Sequence, residues 1–565
     1  MLFFLFGLRT LMAQDAQLPL LHSSWGEVVF NELMADPHPP VGLDEEYLEL
    51  FNRSDKAVEL EGWILFVNQR RYELSEDLIP GGTILEPGSY GLIKNIVLPN
   101  EGAMLSLYNT EGHLVHGASY ATPWDGMPWK KEGGWALESP DPEQVCILSE
   151  LWEYSEDPQG GTPGRINSRD AILMDQLSPV LLYTGFAQAD PGDEGEGSSG
   201  ILRLYFSEAL RMSPSDLPEI VLQPGNLSSL EVKIPGPMFR VLELRFPVDL
   251  RERTFFRVNI PRVVDCQANE RVLLEARAGS TDIPVFASLQ INEIMYEPED
   301  GMPEFIEIFL PGNRFYDLKD LALHVEDKGD PAGHPLPLSD HSRLMVPGSY
   351  LVICRNEEHL RYSYHLERSG QWVGLEKLPG LPNGGGTIYL TDRAGNVVDQ
   401  ADYDDEMHAE ILSDTKGVSL ERISYDRSGD DPHNWHSAAS LQGFATPGRQ
   451  NSQALGEAES LLRLEVEPTV FSPDNDGYQD LLQLYISNGE PGWVMNIRFT
   501  DLRGNTLRIL ANNHLCGPKI LYTWDGARDD GSMVPPGICV VHVWAYHPPT
   551  GKRWIRKRAV GLVYR

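Results

Sequence analysis

The sequence predicts an all-β chain divided into a string of sandwich modules, and three observations carry that reading. Short alternating apolar runs separated by turn residues fill the chain, and no long stretch repeats every three to four residues as a helix would. Glycine (52) and proline (42) are both plentiful, which suits tight connections between strands. One set of phrases also occurs twice in the same order, about 260 residues apart. The 565 residues suggest three to five domains at about 100–200 residues each, and 41% hydrophobic content is enough for several packed cores.

The elements follow in chain order. The N-terminus, MLFFLFGLRTLMAQ, has an apolar run ending in a small residue, Ala13, and reads as a secretory signal over 1–13. With that segment removed, no run of 18 apolar residues is left, so no transmembrane helix is expected. The doubled phrases come next. FNELM (30–34) is echoed by INEIM (291–295), EYLELF (46–51) by EFIEIF (304–309), and EPGSYGLI (86–93) by VPGSYLVI (346–353). LVHGASY (114–120) is echoed by VVDQADY (397–403), and GGTPGRINS (160–168) by FATPGRQNS (444–452). Trp152 and Trp435 each precede the closing phrase. These landmarks mark a duplicated domain, about 27–168 and 288–452. Within it, Leu48 and Leu50 point one way and Glu49 the other, and Ile306, Glu307 and Ile308 repeat the pattern. A period of two predicts a strand with one buried face.

The order of these phrases resembles the lamin-tail domain as it occurs in bacterial secreted proteins, and the resemblance implies an immunoglobulin-like β-sandwich for both copies. The first copy departs by the insertion HPPVGLD (38–44), and the second at Leu310, where the family shows Asn as at Asn52. Between the copies, about 175–283, the phrase LRLYFSEAL (202–210) and the stretch 254–270 resemble bacterial Ig-like domains of S-layer-type surface proteins. The last unit, about 460–565, runs from VFSPDNDGYQD (470–480) to PPGICVVHVWAY (535–546). It resembles the Ig-like domain of flagellar hook-capping proteins, which also closes many exported proteins of Bacteroidetes-like bacteria. Cys539 stands where that family has tyrosine. The expected fold is therefore a tandem array of four immunoglobulin-like sandwiches.

Charge and cysteine content exclude some functions. A formal charge of −37, from 83 acidic and 46 basic residues, disfavours nucleic acids and anionic membranes. The one basic patch is GKRWIRKR (551–558). Five cysteines, Cys146, Cys266, Cys354, Cys516 and Cys539, contain no C-x-x-C pair and no disulfide framework. Cys516 and Cys539 share a domain and are read either as a disulfide or as two buried thiols.

Candidate chemistry is sparse. In SPDNDGYQDLLQ (472–483), Ser472, Asp474, Asp476 and Asp480 fall at calcium-loop positions 1, 3, 5 and 9, with Gly477 at 6. Gln483 replaces the bidentate Glu at position 12, so the competing reading is a loop of Asx turns. DQADYDDEMHAE (399–410) clusters carboxylates around His408, which would need to converge to hold a metal. GEGSSG (195–200) matches a dinucleotide-loop spacing, but its acidic surroundings repel a pyrophosphate. Trp124, Trp129 and Trp135 offer a sugar-stacking platform or core anchors. The repeated pairs Asn31-Glu32 and Asn292-Glu293 raise general acid–base catalysis. The structural alternative is that Asn satisfies a backbone group and Glu pairs with a cation.

The function this implies is a non-enzymatic exported or cell-surface scaffold that binds protein or glycan partners. Its C-terminal module would serve type IX secretion or surface attachment, as the resemblance implies. The rival is an accessory protein of a secreted hydrolase or nuclease, with a cryptic catalytic or carbohydrate-binding site.

Overall fold

The computed structural model describes residues 25–564, apart from 43, 101, 122–129, 131, 140, 143–151, 170–176, 188–199, 211–219, 266–267, 328–334, 367–371, 376 and 456–461. The signal reading at 1–13, Cys146, Cys266, Trp124, Trp129 and all of GEGSSG but Gly200 lie outside the described residues. The fold is all-β. Among the described residues one short α-helix occurs, Glu357–Ser363, capped by the Asn356 side chain on the His359 amide. Among the described residues no helix is long and apolar enough to cross a membrane. The described residues form two compact units, one running up to Thr281 and taking in Ser342–Leu344, the other holding the rest.

In the first unit, the first copy has a five-stranded sheet in the order Glu153–Tyr154, Leu137–Glu138, Val28–Met34, Tyr47–Asn52, Tyr90–Lys94. A second sheet runs Arg70–Glu73, Ile64–Val67, Gly102–Tyr108, Leu114–Ala121. One core joins them, with Phe30, Leu48, Leu50, Trp63, Leu105, Leu107 and Trp152 buried in it. The following stretch has its own pair of four-stranded sheets around Leu202, Leu204, Leu242, Phe256 and Val258. Trp25 joins the two modules, meeting Phe239 edge-on with ring centroids 5.1 Å apart.

The second unit repeats the plan. The second copy has a six-stranded sheet in the order Trp372–Gly374, Tyr350–Cys354, Phe305–Phe309, Gln290–Met295, Leu420–Arg422, Trp435–Ser437. It shares a core with Leu336–Pro337, Leu321–Asp327, Gly386–Asp392 and Val397–Tyr403. The C-terminal stretch has a three-stranded sheet, Arg463–Glu467, Leu482–Ser487, Lys519–Trp524. Its five-stranded sheet runs Val470–Phe471, Lys552–Leu562, Gly537–His547, Trp493–Thr500, Thr506–Cys516. Gln453 ties the second copy to it, accepting the Gly492 amide at 3.2 Å while donating to the Ser437 carbonyl at 2.9 Å.

One expectation is corrected and one open alternative is decided. The strand Tyr47–Asn52 does not have one buried face. Glu49 points away from Leu48 and Leu50 as the alternation requires, yet it is 0% exposed, and so is Glu307. The segment around TPGR closes over that second face. Cys516 and Cys539 are both buried free thiols, not a disulfide, and Cys354 is a third.

A buried carboxylate cluster in each copy of the doubled domain

The doubled motifs converge on one feature. In the first copy, the opening strand supplies Asn31 and Glu32, its neighbour supplies Glu49, the short strand Leu137–Glu138 supplies Glu138, and the exit segment supplies Thr162, Gly164, Asn167 and Ser168. Glu32 Oε1 accepts the Thr162 amide at 2.8 Å and the Tyr47 hydroxyl at 2.5 Å. Glu49 accepts Asn31 Nδ2 at 2.8 Å and the Gly164 amide at 2.5 Å. Glu138 Oε2 accepts the Ser168 hydroxyl at 2.8 Å and the Arg169 amide at 2.9 Å. Asn167 Nδ2 donates to the Ser139 carbonyl at 2.6 Å and the Asn31 carbonyl at 3.1 Å. Each bond has one end on the sheet and the other on the exit segment or a neighbouring strand, so the cluster is a clamp.

The second copy rebuilds it from Asn292, Glu293, Glu307, Glu421, Thr446, Gly448, Asn451 and Ser452. Glu293 accepts the Thr446 amide at 2.8 Å, Glu307 the Gly448 amide at 2.5 Å, and Glu421 the Ser452 hydroxyl at 2.7 Å. Asn451 donates to the carbonyls of Asn292 and Arg422, both at 2.9 Å. All six glutamates are 0% exposed.

No cation is among the partners described above for these glutamates, which corrects the expectation that Glu32 and Glu293 pair with one. The expectation for asparagine is also revised. Asn31 and Asn292 bond side chains, Glu49 and Glu307, while Asn167 and Asn451 satisfy the backbone.

The hydroxyl geometry points to a retained proton. Thr162 Oγ1 lies 2.7 Å from Glu32 Oε2 and 3.0 Å from Glu138 Oε1, and Thr446 Oγ1 lies 3.1 Å from Glu293 Oε2 and 2.7 Å from Glu421 Oε1. A hydroxyl donates one hydrogen, so it bonds to both carboxyls only if one of them is protonated and donates back. Burial agrees with this. It raises Glu32 and Glu421, pushes Glu49 up to about 8, and with Glu421 nearby pushes Glu293 up to about 8.

The other candidates do not converge in this way. Asp399 pairs with Arg422 at 2.7 Å, and His408 Nδ1 bonds the Ser437 hydroxyl at 2.9 Å, so 399–410 is not a metal cluster. Burial pushes His408 down to about 4, leaving it neutral. Trp135 packs against the first core under Lys130, whose ammonium lies 4.7 Å from the ring centroid.

In the 472–483 loop, Asp474, Asp476 and Asp480 bring carboxylate oxygens within 4.8 Å of one another, the one such group among the described residues. Ser472 is buried and donates to Asp474 Oδ2 at 2.7 Å. Both Asp480 oxygens accept loop amides, Asn475 at 2.7 Å and Gly477 at 2.9 Å, and Asp476 accepts the Tyr478 amide at 2.8 Å. The loop thus holds itself by Asx-type bonds.

Sequence reasoning missed Glu138 and Glu421. Their signal is the weaker echo ALES (136–139) and SLER (419–422).

The family model of the lamin tail domain matches residues 22–122 and 284–405. Both matches end before the exit segments, so Glu138, Thr162, Glu421 and Thr446 lie beyond them. No curated protein matches the chain. Among solved structures, the N-terminal part of the bacterial S-layer protein SbsC matches at 11% identity and TM-score 0.16, covering 40% of this chain and 44% of that one. Dimeric latent PorU from Porphyromonas gingivalis matches at 11% and 0.15, covering 86% and 42%. PorZ, a surface component of the type-IX secretion system of the same organism, matches at 12% and 0.16, covering 95% and 81%. This chain spans less than half of the SbsC and PorU structures, and overlays this loose assign no function. What the matches give is an all-β chain in which two regions, 22–122 and 284–405, are similar to the lamin tail domain.

Proposed function

We propose that this protein is a non-enzymatic exported or cell-surface scaffold that spaces its sandwich modules and presents them to protein or glycan partners. The observation that carries this reading is the fate of the doubled motif. Its most reactive-looking residues, three glutamates per copy, are sealed from solvent and engaged by the exit segment. Catalysis needs such groups within reach of a substrate. A motif kept twice for closing a sandwich favours architecture. In the same reading the hook-capping-like C-terminal module serves type IX sorting or surface attachment. The experiment is protease treatment of intact cells with fractionation, followed by an antibody to the second lamin-tail copy. Digestion on whole cells, or protein in the medium, supports the scaffold. A protected cytoplasmic pool overturns both export and sorting. Normal surface levels after deletion of 460–565 overturn sorting alone.

Calcium at Ser472, Asp474, Asp476 and Asp480 is a second reading, favoured by the approach of three carboxylates that would otherwise repel.

A further inference from the structure

The closing strand Lys552–Leu562 is paired along its whole length on one side, with Gly537–His547. On the other side Val470–Phe471 covers only Gly561 and Leu562. Among the described residues, the edge over 552–560 is therefore open. Gly561 and Val563 direct their amides to that edge, so 553, 555, 557 and 559 do as well. Arg556 and Arg558 lie along it, bonding the carbonyls of Ile555 at 2.9 Å and Lys557 at 3.1 Å.

The charge here runs against the rest of the molecule. Lys552 pairs with Glu490 at 2.8 Å. Arg553, Arg556, Lys557 and Arg558 are all exposed and make no ion pair among the described residues, in a chain with 83 acidic side chains. Arg498, His542 and Lys557 also stand directly opposite one another on three adjacent strands. One or two charges are enough to guard an edge against aggregation. Guarding does not account for five cations in 552–558.

We propose that this open edge is the docking site of an acidic polypeptide segment that adds to the sheet as a strand. Period-two alternation places Arg553 and Lys557 on one face and Arg556 and Arg558 on the other. A ligand lying on either face reaches only half of them. An extended chain alongside the edge alternates its own side chains, meets both sets, and accepts from the outward amides of 553, 555, 557 and 559. The inference does not depend on the scaffold reading or on where the protein resides.

The test uses the full chain and a soluble peptide of alternating Glu and Thr, with an alternating Lys and Thr control. Amide exchange is followed at 553, 555, 557 and 559, and affinity by anisotropy at low and high salt. The expected result is protection of those amides by the acidic peptide alone, with affinity falling as salt rises. Arg556→Glu with Arg558→Glu should weaken binding at least tenfold, and the milder Arg553→Gln with Lys557→Gln several-fold with unchanged thermal unfolding. Absence of protection overturns the proposal. So does equal binding of a sulfated polysaccharide or of anionic vesicles with the edge amides still exchanging, which would assign the cations to a face.

Discussion

The two copies of the doubled domain reach the same clamp with different residues, and the differences come in linked sets. In the first copy the hydroxyl on Glu32 Oε1 comes from Tyr47. In the second, Phe305 holds the Tyr47 position and Ser419 donates to Glu293 Oε1 at 2.5 Å from the position of Ala136. The Tyr47 hydroxyl also fills space. A Cβ on Gly161 would lie 2.6 Å from both that hydroxyl and Glu32 Oε1, whereas the second copy has Ala445 there. A second set sits nearby. The amide of the opening strand is accepted by the His116 ring in the first copy, at Phe30, and by Asp399 in the second, at Ile291. Where Asp399 needs Arg422 as a partner, the first copy has Ser139. What persists through these exchanges is the demand of each buried acceptor for a donor and of each charge for a counter-charge.

The largest expected effect comes from breaking the charged set. Asp399→Ala leaves the Arg422 guanidinium buried without its carboxylate and should cost about 3–5 kcal/mol in denaturant unfolding. The exchange Asp399→His with Arg422→Ser, which copies His116 and Ser139, should recover most of that loss. Failure to recover would show that the two copies are not interchangeable at this set.

Next in size is the pH response, which should appear in both copies. Burial pushes Glu49 up to about 8 from an ordinary 4.5, and burial with Glu421 nearby does the same to Glu293. Between those values the folded chain keeps protons that the unfolded chain releases. Unfolding free energy from these groups therefore falls as pH rises, by about 1.4 kcal/mol per unit for each retained proton. Melting temperature should decline from near pH 5 toward pH 8, and a flat profile would break the claim.

A smaller effect sharpens the steric set. Gly161→Ala should cost about 1–3 kcal/mol by crowding Tyr47 and Glu32. Adding Tyr47→Phe and Ala136→Ser, which turns the site into that of the second copy, should restore stability, as a three-way mutant cycle would show. The smallest effect is expected from metal. Because loop amides already occupy both oxygens of Asp480, calcium against chelator should shift melting by only about 2 °C or less.

Much of this was legible in the sequence. The order of the repeated phrases located both copies, and Asn31, Glu32, Thr162 and Asn167 all belong to phrases that stand out twice. Glu49 was misread because alternation reports which residues share a face, not what covers the other face. That cover comes from Gly164, distant by 115 positions. Glu138 and Glu421 escaped because their strands, Leu137–Glu138 and Leu420–Arg422, are too short to show a period. The exchange of Tyr47 for Ser419 is invisible without coordinates, since the two hydroxyls come from different strands.

Each clamp sets a threonine hydroxyl between two buried carboxyls, which calls for a retained proton at pH 7. Infrared spectroscopy of the folded protein at pH 7 tests it most directly, since surface carboxylates are ionised there and only sealed carboxyls show the neutral C=O stretch. The account predicts that this band is present, weakens in Glu32→Gln and again in Glu293→Gln, and disappears on unfolding. A folded protein with no such band would mean that all six glutamates are ionised, and would contradict the account.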